Sequence, residues 1–220
     1  TKEESAQKPD LVVIFGNDDG NDDTNFYYDK ANDIWVGCIS DNPRIEYFGY
    51  LKKLCLTLHN LAQMKKGWLP IHGAFVNIYL KDGTKKGIML MGDSGAGKSE
   101  SIEALKATAG DMIREVEVVF DDMGTIHLED GVPYGQGTEI GAFIRLDDLD
   151  PGTPYRDMDR SIFMAPENPN SRMIQPAAPY RVVVHNHKID LFAYANNYTN
   201  EFGLKKLSVQ EVKDTCKLGT

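Results

Sequence analysis

The chain lacks any surplus of positive charge: 33 acidic side chains against 24 lysines and arginines leave a net charge of −9. That argues against a general nucleic-acid binder, which carries a basic face. A polyanion is still within reach where local groups and a divalent cation neutralise it. Cysteine is scarce too. Cys38, Cys55 and Cys216 stand far apart with no CxxC spacing, so they read as free thiols of a reducing compartment, not as a disulfide framework. No run approaches eighteen apolar residues, and no secretory signal opens the sequence. The expected location is therefore cytoplasmic, with neither membrane nor nucleic acid as partner. There is no internal repeat and no low-complexity tract. The first residue is Thr1, with no initiator methionine, which leaves room for a further lobe.

What is present suits a globular α/β protein. Its 220 residues, 41% apolar and 26% charged, give one large domain or a domain with a small appendage. After a polar start, "LVVIFG", "NFYYD" and "DIWVG" read as short strands. The intervening "NDDGNDD" is a solvated turn and not a calcium loop. Counting back from Gly20 puts Phe15 at the first ligand position of an EF-hand, and the twelfth position has no Glu. Residues 47–64 show helical spacing of apolar residues, closed by Gly67 and Pro70. Residues 1–66 thus form strands and a helix that pack on a core, and residues 67–220 form the main domain.

In that domain "LPIHGAFVNIYL" is a strand, "KDGTKKG" a turn, "GIMLM" a buried strand, and a helix runs from about Lys98 to Thr108. "REVEVVF" is a further strand that runs into Asp121 and Asp122, followed by a hairpin around "EDG". Residues 147–179 are long and rich in proline for a connection inside a domain, and are expected to carry functional groups or to cover the sheet. "YRVVVH" and "IDLFAYA" read as a last strand pair, and "SVQEVKDTCKL" as a terminal helix. The order predicts α/β with a mixed, twisted sheet.

The densest chemical signal is "GDSGAGKSE", Gly92, Asp93, Ser94, Gly95, Ala96, Gly97, Lys98, Ser99 and Glu100. It fits G-x-x-x-x-G-K-[ST] in full, with an apolar strand before it and a helical pattern after it. Glycines let successive backbone N–H groups turn inward and form an anion nest. The helix that follows aims its unpaired N–H groups and its positive dipole end at the same point. Lys98 supplies a cation for the terminal phosphates, and Ser99 a hydroxyl for Mg²⁺.

A nucleotide loop needs a second anchor for the metal. Asp121 and Asp122, at the expected tip of a neighbouring strand, supply carboxylates for Mg²⁺ or its waters. Strand alternation sends one toward the metal and the other toward the acceptor's proton. His72 lies on the strand before the loop's own strand, beside Gly73, which permits close backbone approach. His185 and His187 flank a turn and are expected at the surface; His59 and His127 carry no pattern.

Together these stretches, "IHGAFVNIYL", "GIMLMGDSGAGKSES" and "VVFDD", resemble the catalytic domain of HPr kinase/phosphorylase and the wider group that includes phosphoenolpyruvate carboxykinase. "NSRMIQPAAPY" followed by "IDLFAYANNY" is similar to a carboxykinase segment. The resemblance covers roughly residues 69–198. It implies a P-loop fold with flanking helices and binding of ATP or GTP with Mg²⁺ or Mn²⁺. It also implies a metal site at Ser99, Asp122 and His72, with Asp121 near the acceptor and Arg172 on the transferred phosphoryl group. Glu139 and Arg145 are further implied site residues, and a dicarboxylate acceptor needs several arginines, for which Arg145, Arg160 and Arg172 are the candidates. His72 is a metal ligand in the carboxykinase manner, or a polar group of the kinase site. No stretch before His72 resembles the carboxykinase's basic substrate-binding segment; Arg44 is the only arginine there. The carboxykinase's C-terminal lobe and the kinase's C-terminal helices have no evident counterpart.

The expected reaction is phosphoryl transfer to a small carboxylate such as oxaloacetate. The alternatives are transfer to a protein serine, often by an oligomer, and nucleotide sensing without catalysis.

Overall fold

The structure is a computed structural model that describes residues 8–92, 96–108, 110, 112–145, 159–165, 168–196 and 203–218. The chain folds as two compact units, Thr1–Pro70 with Ile140–Pro179, and Ile71–Glu139 with Tyr180–Thr220. Among the described residues two of the three sheets are mixed, the third is antiparallel and helices are few, an α/β architecture dominated by strands.

In the first unit β1 (Leu11–Asn17), β2 (Thr24–Asp29) and β3 (Ile34–Ser40) form a sheet with β3 central. β3 runs parallel to β1 and antiparallel to β2. Helix α1 (Phe48–Lys65) packs Leu54 and Leu58 against Ile39 and Ile45. The approach is close because Gly37 has no side chain: a Cβ there would lie 2.9 Å from the Leu54 side chain. The helix stops at Gly67, whose φ is 81°. The Gly67 N–H donates to Met64 O (2.9 Å) and the Trp68 N–H to Gln63 O (3.0 Å), the paired bonds of a Schellman motif. Between β1 and β2, Asp19 accepts from the Asn21 N–H at 3.0 Å and from the Asn17 amide at 2.9 Å, a side-chain-supported turn.

The same unit holds a second sheet of β8 (Gly141–Arg145), β10 (Asn168–Pro176) and β9 (Asp159–Ala165), in that order and antiparallel throughout. Much of it falls where the sequence suggests a long proline-rich connection. The prolines are compatible with a central strand for a local reason. Pro169 pairs with β9 only and Pro176 with β8 only, so each stands where β10 has a single ladder partner.

The second unit is built on a six-stranded sheet, β11-β7-β6-β4-β5-β12. Its strands are β4 (Leu69–Leu80), β5 (Lys85–Met91), β6 (Ile113–Glu129), β7 (Val132–Gly137), β11 (His187–Lys188) and β12 (Leu191–Tyr194). β4 and β5, β6 and β7, and β7 and β11 pair antiparallel, while β12 runs parallel to β5. Alternation along β4 divides two apolar layers. Ala74, Val76 and Ile78 pack with Ile102 of helix α2 (Lys98–Thr108). Ile71 and Phe75 pack with Met89, Val119, Phe120, Val182 and Ile189. The terminal helix α4 (Val209–Leu218) opens on a capping box. There the Ser208 N–H donates to Glu211 Oε2 at 2.7 Å, and the Glu211 N–H donates to Ser208 Oγ at 3.2 Å. The Ser208 N–H, followed by Lys205, pulls the Glu211 carboxyl down to about 2.

Three local readings differ from the sequence expectation. "YRVV" is a short helix, α3 (Tyr180–Val183), not a strand; Val182 and Val183 are buried, so packing overrides the β-branched preference. The last two strands do not pair with each other but lie at opposite edges of the sheet. His187, expected at the surface, is only 8% exposed. Among the described residues no helix is long and apolar enough to cross a membrane.

Candidate functional site

The glycine loop bridges β5 and α2 in the second unit. β5 ends at Met91, and Gly92 turns away with φ 153°. A Cβ on Gly92 would sit 2.7 Å from the Ala195 carbonyl oxygen and 3.2 Å from the Ala96 Cβ, so the backbone approach requires glycine. The Ala195 N–H donates to Met91 O at 2.7 Å, which seats the chain leaving β12 behind the start of the loop. Gly97, with φ 84°, turns the chain into α2. Its carbonyl accepts from the Ser101 N–H at 2.9 Å and from Ser101 Oγ at 2.6 Å. Asp93, Ser94 and Gly95 lie outside the described residues, and Ser99 and Glu100 are described only as backbone of α2.

Lys98, the first residue of α2, is 7% exposed. Its Nζ donates to Gly92 O at 2.9 Å, so the ammonium is folded back across the turn and not extended into solvent.

The second group of site residues comes from β4 and β6. The sequence reading ends a strand at the aspartate pair; in the structure β6 runs on through Asp121 and Asp122 to Glu129. The pair is therefore mid-strand. Asp122 has φ 112°, a conformation that L residues rarely adopt. Such a residue costs on the order of 1–3 kcal/mol and needs its surroundings to hold it. It also breaks the pleat on which the expected divergence of the two carboxylates rests. Asp122 Oδ1 lies 3.0 Å from His72 Nε2, with the two side chains 44% and 37% exposed. The antiparallel register that sets Gly73 opposite Met91 brings His72 level with Gly92. The His72–Asp122 pair and the first glycine of the loop thus share one end of the sheet.

Glu139 follows β7. The N–H and hydroxyl of its neighbour Thr138 both donate to Met123 O, at 3.2 and 3.0 Å, which ties this stretch to the strand just beyond Asp122. Arg145, Arg160 and Arg172 belong to the first unit. Their side chains are outside the described residues, and the backbone register alone places them: Arg145 is opposite Arg172, and Arg160 is opposite Met173.

Chemically, an imidazole in contact with a carboxylate is a familiar support for a metal ligand. A metal-binding histidine usually donates its other ring N–H to a carboxylate, which fixes its tautomer. With Nε2 on Asp122, His72 would turn Nδ1 to a cation. Among the described residues no three His, Cys, Asp or Glu side chains stand together as a ligand set. A hard cation at this pair would therefore complete its shell from water, phosphate oxygens and the Ser99 hydroxyl, the way Mg²⁺ is commonly held. The backing of Gly92 by Ala195 has no local sequence signal, since nothing in "IDLFAYA" states which strand it will join.

Compared with known proteins, the chain matches no family model and no curated sequence.

Proposed function

We propose that the second unit binds a nucleoside triphosphate, ATP or GTP, at the turn from Gly92 to Ser99 and transfers its terminal phosphoryl group with Mg²⁺ or Mn²⁺. The acceptor in this reading is a small carboxylate such as oxaloacetate, after the phosphoenolpyruvate carboxykinase and HPr kinase group that the sequence resembles, whose P-loop fold is part of the proposal. The supporting observation is a convergence at one sheet end. A glycine turn with a buried lysine folded across it stands level with a histidine–aspartate pair.

The roles follow from charge. The N–H groups of the turn and the N-terminus of α2 would hold the phosphates. Lys98 would exchange the Gly92 carbonyl for a phosphate oxygen. The divalent ion, when bound, neutralises the charge that builds on the transferred group; Asp122, His72 and Ser99 are the residues that would hold it. Asp121 would sit near the acceptor. Arg145, Arg160 and Arg172 carry the planar, two-pronged donors that carboxylates and phosphoryl groups take.

The test is calorimetry with ATP, GTP and their diphosphates in the presence of Mg²⁺ or Mn²⁺, followed by ³¹P NMR with oxaloacetate. Saturable binding is expected, and with oxaloacetate a phosphoenolpyruvate signal: the C–C bond to the carboxylate beside the CH2 group would break, CO2 would leave, and the enolate oxygen so formed would take the γ-phosphoryl group as the nucleoside diphosphate departs. No affinity for any of these nucleotides would end the proposal, and phosphoserine formed on an added protein would redirect it to a protein acceptor. Within this reading, Asp122→Asn keeps the side-chain shape and tolerates the positive φ but removes the charge. It is expected to raise the Mn²⁺ concentration needed for half-maximal binding of the nucleotide complex by about 10–100-fold. An unchanged requirement would remove Asp122 from the metal site.

A further inference from the structure

At the opposite end of the six-stranded sheet from the loop lies a buried polar cluster with no part in the proposed chemistry. Asn77 of β4 is fully buried. Its amide nitrogen donates to Glu117 Oε2 of β6 at 2.9 Å and to Nδ1 of His187 at 2.9 Å. Tyr79 Oη also donates to Glu117 Oε2, at 3.0 Å. Nε2 of His187 donates to Val182 O at 2.8 Å.

This wiring admits one protonation state. A carboxylate only accepts, so the Asn77 nitrogen has to face Glu117. The same nitrogen faces His187 Nδ1, which must then accept, leaving the ring proton on Nε2 for Val182 O. A proton added at Nδ1 would meet an N–H donor. Rotating the amide to offer its oxygen would turn that oxygen onto the Glu117 carboxylate. Asn77 Oδ1 has no hydrogen-bond partner even in the neutral arrangement; each alternative adds a repulsive contact, donor against donor or oxygen against carboxylate, and loses a bond as well, which is costly in a buried site.

His187 is the anchor of a longer piece of chain. Residues 184–195 leave α3 and run on through β11, paired with β7, into β12, paired with β5. The segment is held by main-chain bonds from Ile189 N–H to Pro133 O (2.9 Å), Asp190 N–H to Gly87 O (2.8 Å) and Ala195 N–H to Met91 O (2.7 Å). It closes so tightly on Gly87 that a Cβ there would come within 2.0 Å of Lys188 O. Its last residue, Ala195, backs Gly92.

We propose that His187 is a proton-operated latch: neutral, it holds residues 184–195 on the sheet, and protonated, it releases them together with the Ala195 backbone behind the glycine loop. The charged surroundings favour the neutral form on balance. Burial is the leading influence and lowers the pKa of His187. Lys85 of β5 and His185 of the adjoining turn lower it further, against Glu117 of β6 and the bond to Val182 O, which raise it. Glu117 is itself held below its ordinary range: burial pushes its pKa up, and the bonds from Asn77 and Tyr79 outweigh that. The carboxylate therefore stays ionised where the histidine titrates. Arg114 and Lys85 lie over the Tyr79 ring, 5.6 and 5.4 Å from its centre. Because the folded-state pKa of His187 is depressed, the stability it confers is complete above the unfolded value of about 6.5. That stability is lost as pH falls through the folded value.

The experiment is amide hydrogen exchange of the whole chain between about pH 7.5 and 5, corrected for intrinsic rates. The amides followed are those of Ile189, Asp190 and Ala195. Their protection is expected to fall by up to about tenfold per pH unit between about pH 6.5 and the folded pKa of His187, and to level off below it, while the amides of Phe75 and Val76 hold theirs. Constant protection, or a loss shared equally by β4, would overturn the latch. His187→Gln offers an oxygen to Asn77 and an N–H to Val182 without titrating, and its exchange is expected to lose the pH dependence. Should that variant fold poorly, the wild-type His187 Cε1–H resonance decides: its midpoint must mark the pH at which the protection of the three amides levels off, and a midpoint elsewhere overturns the proposal. The effect on the ligand rests on the nucleotide reading. Affinity for the Mg²⁺–nucleotide complex is expected to weaken over the same pH range in the wild type and not in His187→Gln. Absence of nucleotide binding at pH 7.5 would defeat that reading, with the latch still decided by exchange.

Discussion

Lys98→Ala is expected to lower phosphoryl transfer by about 10²–10³, the usual loss when one preorganised charge is taken from developing negative charge. The expectation rests on where the ammonium is. Lys98 is nearly buried, and its Nζ holds the Gly92 carbonyl at 2.9 Å, across the mouth of the turn it would serve. An ammonium has three N–H donors on a flexible stem, so moving from a carbonyl to a phosphate oxygen needs only a change of rotamer. Little reorganisation remains for the moment of reaction, which is why the loss should fall mainly on kcat. Lys98→Arg discriminates charge from geometry: the guanidinium keeps the charge but is larger and planar, and in a site this enclosed it is expected to restore less than a tenth of the lost rate. Circular dichroism should be unchanged in both variants, since α2 is held by Ile102 against β4 and not by its first side chain. Unaltered turnover in Lys98→Ala would separate this lysine from the chemistry.

The parts of the molecule that were legible in the sequence are those whose signal is local. The span of α2 was marked by the glycine loop before it and the helical pattern within it, and the structure starts that helix at Lys98. α1 was marked by apolar spacing and by Gly67, which supplies the positive φ of its C-terminal motif. What escaped depends on distant partners. "NPNSRMIQP" looks like a loop until β8 and β9 are known to flank it, each proline falling where one ladder is missing. "VEVVFDD" looks finished at its aspartates because charge commonly ends a strand. β6 nevertheless continues, with Asp122 in a strained conformation that no composition announces. The turn beside His187 points to a surface position; its burial depends on Asn77, some 110 positions away in the chain. In the candidate site, the residue types were legible in the motifs, whereas the contact of His72 with Asp122 depends on how β4 and β6 align.

The largest loss of stability in the second unit is expected from Phe75→Ala, about 3–5 kcal/mol in urea or thermal unfolding. Phe75 is fully buried at the centre of the apolar layer on the His187 face of the sheet. Its ring meets Phe120 edge-on with centroids 6.0 Å apart, and His187 edge-on at 6.1 Å. Two glycines make room for it: a Cβ on Gly135 would come within 2.9 Å of the ring, and one on Gly87 within 3.0 Å. With three strands shaped around one ring, the cavity left by alanine has backbone walls that cannot collapse into it, which places the cost toward the upper part of that range. The same truncation also removes the apolar wall beside His187, so the protection of the Ile189 and Asp190 amides should fall further than that of the β4 amides. Leu128→Ala, at a side chain 70% exposed on the same sheet, is the contrast and should cost about 0.5 kcal/mol or less. Equal losses in the two variants would mean that the ring is not the keystone of this layer.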